Sequence, residues 1–303
     1  MSAGWSGRGS GRETDPVGEP VSSSDVALPH PALRPFVAVY VGYREAGVAP
    51  ALHRGLPSPY LTMILTLDDP LDMAGHPDPH QPPGRFEALV GGLHTAPATI
   101  RHDGRQSGVQ VALTPFGARA LLGVPAGELA MRDVHADDLL GLAADELLDA
   151  VRGPSTWRAR FAALDAALLR RLAAGPRDPL PPRPVRGAWR LLLASGGRAD
   201  VAGLADAVGW TPRHLAHRFG LDVGLTPKQA ARVVRFDRAR RDLMARTVAG
   251  GRPLLADLAA VHGYYDQPHL DREFRALAGC PPSVWLAEEL RNVQVPALPV
   301  PEG

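Results

Sequence analysis

The 303-residue sequence has one cysteine, Cys280. A single thiol forms no internal disulfide and no cysteine-based zinc site, and it suits a reducing cytoplasm. No run of about 18 apolar residues occurs, so no membrane span is expected. Met1 to Pro20 is rich in Gly, Ser, Glu and Arg and has no apolar centre to serve as a signal peptide. No Walker or dinucleotide fingerprint follows a strand, Gly91-Gly92 is too short to cradle phosphate, and no nucleophile elbow surrounds a serine. Nothing in the chain argues for catalysis or a bound cofactor. His53, His76, His80, His94 and His102 fall in one half but none pairs at the close spacing of a helical metal motif. They read as turn and surface histidines, and no metal is expected.

What is present divides the chain in two. The net charge is +1, yet residues 183–291 hold 17 Lys and Arg against 11 Asp and Glu, and the remainder holds 16 against 21. Only the basic C-terminal block suits a polyanionic partner.

Residues 1–27 are expected to be a disordered leader and 28–150 a β-rich domain. Phe36 to Val41 and Tyr60 to Leu67 are enriched in β-branched and aromatic residues. Phe86 to Val90, Ala98 to Arg101 and Val109 to Leu113 are shorter candidate strands, with Pro, Gly and Asp between them. Short strands of this kind suggest a small barrel or sandwich. Helical patterning follows in Pro115 to Leu122, Ala143 to Val151 and Thr156 to Ala174, and the last forms a connecting helix over 151–174. Residues 175–184 carry five prolines and predict an extended, semi-rigid linker. Beyond it, 185–291 reads as helices alone, before a Pro-rich tail at 292–303. The fold class is therefore α+β, with a β-rich N-terminal barrel or sandwich carrying helices and an all-α C-terminal region.

That C-terminal region repeats. Leu204-Ala205 and Gly209 recur 54 residues on as Leu258-Ala259 and Gly263. His214-Leu215, Phe219, Gly224 and Pro227 recur 55 residues on as His269-Leu270, Phe274, Gly279 and Pro282. Each copy has the parts of a helix-turn-helix: a helix with a small Ala where its partner comes close, Gly at the turn, and a capped second helix. Thr211-Pro212 supplies one cap and first turn, and Asp266 with Gln267-Pro268 the other. Arg213, His214, His217 and Arg218 lie on the outer face of the first copy. Gln267, His269, Asp271 and Arg272 do so in the second. Arg suits guanine and Gln suits adenine, and a helix-turn-helix inserts the start of its second helix, so the early positions favour base edges. The candidate DNA-binding residues are Thr211, Arg213, His214, His217, Arg218, Asp266, Gln267, His269 and Arg272. Lys228 to Met244 predicts a long joining helix with Val233 or Val234, Phe236, Ala239 and Leu243 inward. Some of Arg232, Arg235, Arg238 and Arg241 are expected to reach phosphate and others to bridge to Asp237 and Asp242.

Together with Arg235-Phe-x2-Ala239-x3-Leu243 and Gly279-Cys-Pro-Pro-Ser-Val-Trp285, these residues resemble the AraC (arabinose regulator) family over about 185–290. The resemblance implies a sequence-specific, DNA-binding transcription factor, with two three-helix units on a linker helix reading successive major grooves. The N-terminal part would then sense an effector or dimerise. Leu113-Thr-Pro-Phe-Gly-Ala-x2-Leu-Leu-Gly-Val-Pro125 also resembles a sensor-like domain that precedes such modules. Double-stranded DNA is the implied partner. A small-molecule effector, RNA polymerase (for an activator) and a second copy of the chain are the others. The chain departs from the family at the longer Thr247 to Pro253 turn and at Pro268 and Pro281. Two competing readings are a small-molecule-binding or enzymatic β-domain with a helical assembly module, and a non-specific nucleoid-type DNA binder.

Overall fold

A computed structural model describes residues 21–291. Ten strands come first: β1 (Val21–Ala27), β2 (Val37–Ala46), β3 (Ala51–Gly55), β4 (Leu61–Thr66), β5 (Leu71–Gly75), β6 (Gly84–Phe86), β7 (Ala88–Gly91), β8 (Ala98–His102), β9 (Arg105–Leu113) and β10 (Asp133–His135). They form two antiparallel sheets, one ordered β1-β2-β9-β4-β7-β10 and the other β3-β8-β5-β6. The arrangement is a sandwich. Ile64 and Leu89 of the larger sheet meet Leu71, Met73, Phe86, Ala98 and Ile100 of the smaller in one cluster. Met63, Leu65, Val109 and Val111 belong to a second cluster shared with the helices. Because successive side chains alternate between faces, the central strands of the larger sheet are apolar throughout.

The expected leader at 1–27 needs correction at its end. Residues 21–27 are a strand, paired in register with β2 from Val21↔Ala46 to Ala27↔Tyr40. Its Ser-rich sequence has little β-enrichment, but the backbone of β2 offers a full row of partners. Residues 1–20 and the tail 292–303 lie outside the described residues.

Between β9 and β10, α1 (Pro115–Gly117) is a single turn capped by Thr114. It runs into a π-helical turn over Ala118–Leu122, which ends at Gly123. The single helix expected there is thus broken into two hydrogen-bond periods, and a 3-10 turn follows at Ala126–Leu129. Then come α2 (Ala136–Leu140), α3 (Ala143–Arg152) and α4 (Trp157–Ala174). Phe161, Leu164 and Leu168 of α4 are buried, and Phe161 stacks at 5.8 Å on Tyr40, whose hydroxyl donates to Asp165 at 2.9 Å. The apolar stripe of α4 is therefore core packing, against β2 at Phe161 and against α3.

The C-terminal region holds α5 (Arg183–Ala194), α6 (Val201–Ala207), α7 (Pro212–Val223), α8 (Pro227–Val248), α9 (Leu255–Val261), α10 (Gln267–Ala278) and α11 (Pro282–Arg291). The last two residues of the Pro-rich stretch begin α5, since Pro184 sits in its first turn where no N–H is needed. That stretch does not hold the two halves apart. One hydrophobic cluster runs from Leu33 and Phe36 through to Phe274 and Trp285.

Candidate DNA-binding surface

The two units are built by the same bonds. In the first, Gly209 N–H donates to Asp206 O at 3.1 Å and Trp210 N–H to Ala205 O at 3.0 Å. In the second, Gly263 N–H donates to Ala260 O at 3.3 Å and Tyr264 N–H to Ala259 O at 2.9 Å. Both glycines are left-handed, with φ of 72° and 75°, which a side chain would strain. The second helices are then capped. Thr211 Oγ1 accepts from His214 N–H at 3.2 Å, and Asp266 Oδ1 accepts from His269 N–H at 2.7 Å. An aromatic ring braces the first turn of each, with Trp210 against His214 at 4.4 Å and Tyr264 against His269 at 5.3 Å. On the inner faces Leu215, Phe219, Leu270 and Phe274 are fully buried.

The outer faces are open. Thr211, Arg213, His214, His217, Asp266 and Arg272 are exposed, and Arg218, Gln267 and His269 are partly so. The starts of α7 and α10 therefore present most of the candidate residues to solvent. Arg218 differs, because its guanidinium lies 3.6 Å from the buried carboxylate of Asp222 one turn later. Asp271, expected on the outer face of α10, has a buried Oδ1 and is only partly exposed.

The joining helix α8 opens with a full capping box, Thr226 and Gln229 exchanging bonds. Both Val233 and Val234 are buried, with Phe236, Ala239 and Leu243. The phosphate contacts expected from its arginines need correction. Arg232 binds both oxygens of Glu273 at 3.0 and 2.9 Å, which raises its pKa. Arg235 donates to Gly263 O at 3.1 Å and lies over the Tyr264 ring, and Arg238 donates to Leu193 O at 3.0 Å. Arg241 is buried with Asp237 at 2.8 Å. The three-residue spacing winds these side chains round the rod, so each meets a different packed neighbour instead of one flat exposed face. Asp242 is claimed by Arg246 at 2.6 Å and by His262 at 2.8 Å. Although burial opposes it, these partners hold its carboxyl below the usual range.

A second set of contacts was not expected from the sequence. The sandwich half touches both units. Arg119, in the π-turn, reaches Asp222 of α7 at 3.2 Å. Gly127 lies so close to α7 that a β-carbon there would stand 2.5 Å from Leu221 O. At the other unit, Arg54 of β3 grips Glu288 of α11 at 2.7 and 3.2 Å and donates to Ala278 O at 3.4 Å. Tyr60, just before β4, is buried beside Arg241 and Asp237 of α8, and burial raises its phenol pKa. An acidic residue near the C-terminal end of a helix, such as Asp222, is disfavoured by the helix dipole. That oddity was the only available hint that a cation arrives from elsewhere.

Three histidines of the sandwich have local partners. His76 Nδ1 is 2.7 Å from Asp133, His94 Nδ1 meets Ala96 O, and His102 Nδ1 accepts from Gly104 N–H. Burial lowers the pKa of His94. Among the described residues no three His, Cys, Asp or Glu side chains come together in a metal-binding arrangement. Cys280 is buried and its thiol pKa is raised by that burial.

Two family models match the chain: a helix-turn-helix domain over residues 204–288 and a domain of unknown function, DUF6597, over residues 25–135. The first span begins in α6 and ends in α11, so it takes in both units and the rod between them. The second takes in the last three residues of β1 and all of β2 to β10. No curated protein sequence matches. Solved structures with a similar trace include ToxT from Vibrio cholerae O395 bound to (E)-4-(8-methylnaphthalen-1-yl)but-3-enoic acid. It is 10% identical, with 88% of this chain and 98% of that chain covered and a TM-score of 0.48. Unsaturated fatty acid bound wild-type ToxT from Vibrio cholerae strain SCE256 is 8% identical, with 89% and 95% covered and a TM-score of 0.47. The AraC-like transcriptional activator CuxR is 13% identical, with 73% and 86% covered and a TM-score of 0.30.

Proposed function

We propose that this chain is a DNA-binding transcription regulator of the AraC type that reads one operator with α7 and α10 in successive major grooves, a reading supported by the helix-turn-helix match over residues 204–288. The observation that carries this is the duplicated turn. The same backbone bonds, left-handed glycine and side-chain cap recur in both units, and both helix starts face solvent. Arg213 and Gln267 are the base readers in this proposal, one early in each helix. In this proposal Thr211, His214, His217, Asp266 and His269 shape the surfaces that meet the groove walls, and Arg218 and Arg272 are assigned to phosphate. On this reading the protein is a regulator and not an enzyme.

For the N-terminal half, residues 28–150, we propose effector sensing or dimerisation, with 175–184 as the linker to 185–291. Its grip on both units supports sensing, because a ligand that shifts the sandwich must also shift the relation between α7 and α11. RNA polymerase and a second copy of the chain are the further proposed partners. A cytoplasmic location is part of the same proposal, since it suits a DNA partner. Among the described residues no helix is long and apolar enough to cross a membrane.

Selection of bound fragments from random DNA by the full chain tests the reading. A preferred duplex is expected. Arg213→Ala and Gln267→Ala should each weaken binding to it by roughly 1–3 kcal/mol and relax one position of the site. Uniform competition by every duplex would instead support the nucleoid-type alternative, and an assembly module would bind none.

A further inference from the structure

The two units align with one residue left over. Their turn bonds correspond at an offset of 54 residues, ending with Trp210 and Tyr264. Their cap bonds correspond at an offset of 55, beginning with Thr211 and Asp266. The extra residue is therefore Tyr265. It is 93% exposed, more than any other large apolar side chain among the described residues. Its backbone is not loose, since its N–H donates to His269 Nδ1 at 3.3 Å, tying the inserted residue to the helix it precedes.

A tyrosine ring left in water forgoes the stabilisation its large apolar area gives when covered. No side chain of this unit covers it. It stands one residue before the N-cap of α10, where a helix-turn-helix passes from the sugar-phosphate strand into the groove. Arg272, in the second turn of α10, is also exposed and supplies positive charge on the same helix. Tyrosine hydroxyls are among the ordinary donors to phosphate.

We infer that Tyr265 is a DNA-contacting residue of the second unit, its hydroxyl donating to a phosphate oxygen and its ring lying on the adjacent deoxyribose. The first unit has no counterpart, so this contact anchors α10 alone and sets the angle at which that helix meets its groove. The inference rests on the proposed placement of α10 in DNA.

The experiment uses the full chain, the duplex that wild type selects from random DNA, and single-base variants of that duplex. Tyr265→Ala is expected to weaken binding to all of them about tenfold in the same ratio, while Tyr265→Phe loses about threefold through the hydroxyl alone. Salt dependence gives a second readout. A neutral phenol displaces no condensed cation, so the slope of log affinity against log salt should stay unchanged in Tyr265→Ala. Arg272→Ala should reduce it by about 0.9. Unaltered affinity in Tyr265→Ala overturns the inference. So does a change of base preference at one position, which would mark a base reader, or a lowered melting temperature, which would mark a structural role. If wild type selects no duplex, the placement of α10 itself fails, whatever the variant does.

Discussion

Phe236→Ala is expected to destabilise the protein by roughly 3–5 kcal/mol and to abolish specific DNA binding by both units. Phe236 is fully buried at the middle of α8. Its ring meets Phe274 of α10 edge-on at 4.9 Å, and Phe274 in turn lies 5.9 Å from Trp285 of α11. The same rod packs on α5 and α7 of the first unit. Truncation would remove transfer free energy and leave a cavity that rigid helices on both sides cannot collapse to fill. Unfolding in urea, followed beside binding to the selected duplex, measures both effects. A loss below about 1 kcal/mol with binding intact would show that the two units do not share this core. Phe236→Leu should retain most of the stability, since it keeps an apolar side chain of related volume.

Gly127→Val is expected to separate the sandwich from α7 at a cost of about 1–3 kcal/mol, the usual penalty of overpacking. A β-carbon at Gly127 would meet Leu221 O at 2.5 Å and Gly220 O at 2.8 Å, both backbone atoms of α7 that no rotamer change can move. The displacement would also pull Arg119 from Asp222. Asp222 is buried near the C-terminal end of α7 and would keep only Arg218, which would then be drawn more firmly away from the outer face. Weaker or altered duplex selection should follow, with faster proteolysis in the segment 175–182. A double-mutant cycle with Arg119→Ala supplies the check. In wild type the pair Arg119–Asp222 should show coupling, and in Gly127→Val that coupling should vanish. Equal coupling in both backgrounds, with no loss of stability, would mean that this face is not fixed.

Both predictions turn on contacts of different legibility. The strands found from sequence, such as those around Tyr60 to Leu67 and Val109 to Leu113, are the central ones of the larger sheet, buried on both faces and so apolar throughout. Those without a sequence signal lie mostly near the edges. β1 at Val21–Ala27, β3 at Ala51–Gly55 and β10 at Asp133–His135 each pair on one side only, so their composition need satisfy only one neighbour. The Arg side chains of α8 mislead for a related reason. A guanidinium has the same sequence signature whether it meets a phosphate or a Glu273 brought in from 41 residues away.

The amino-acid order alone determined the duplicated hooks, because caps, turn glycines and the four-residue spacing of Leu215 with Phe219 or Leu270 with Phe274 are local chemistry. Only the folded chain decided that the sandwich holds both hooks, through Arg119 on Asp222 and Arg54 on Glu288. Those partners stand 103 and 234 residues apart, and no local pattern encodes a meeting that depends on how whole layers pack.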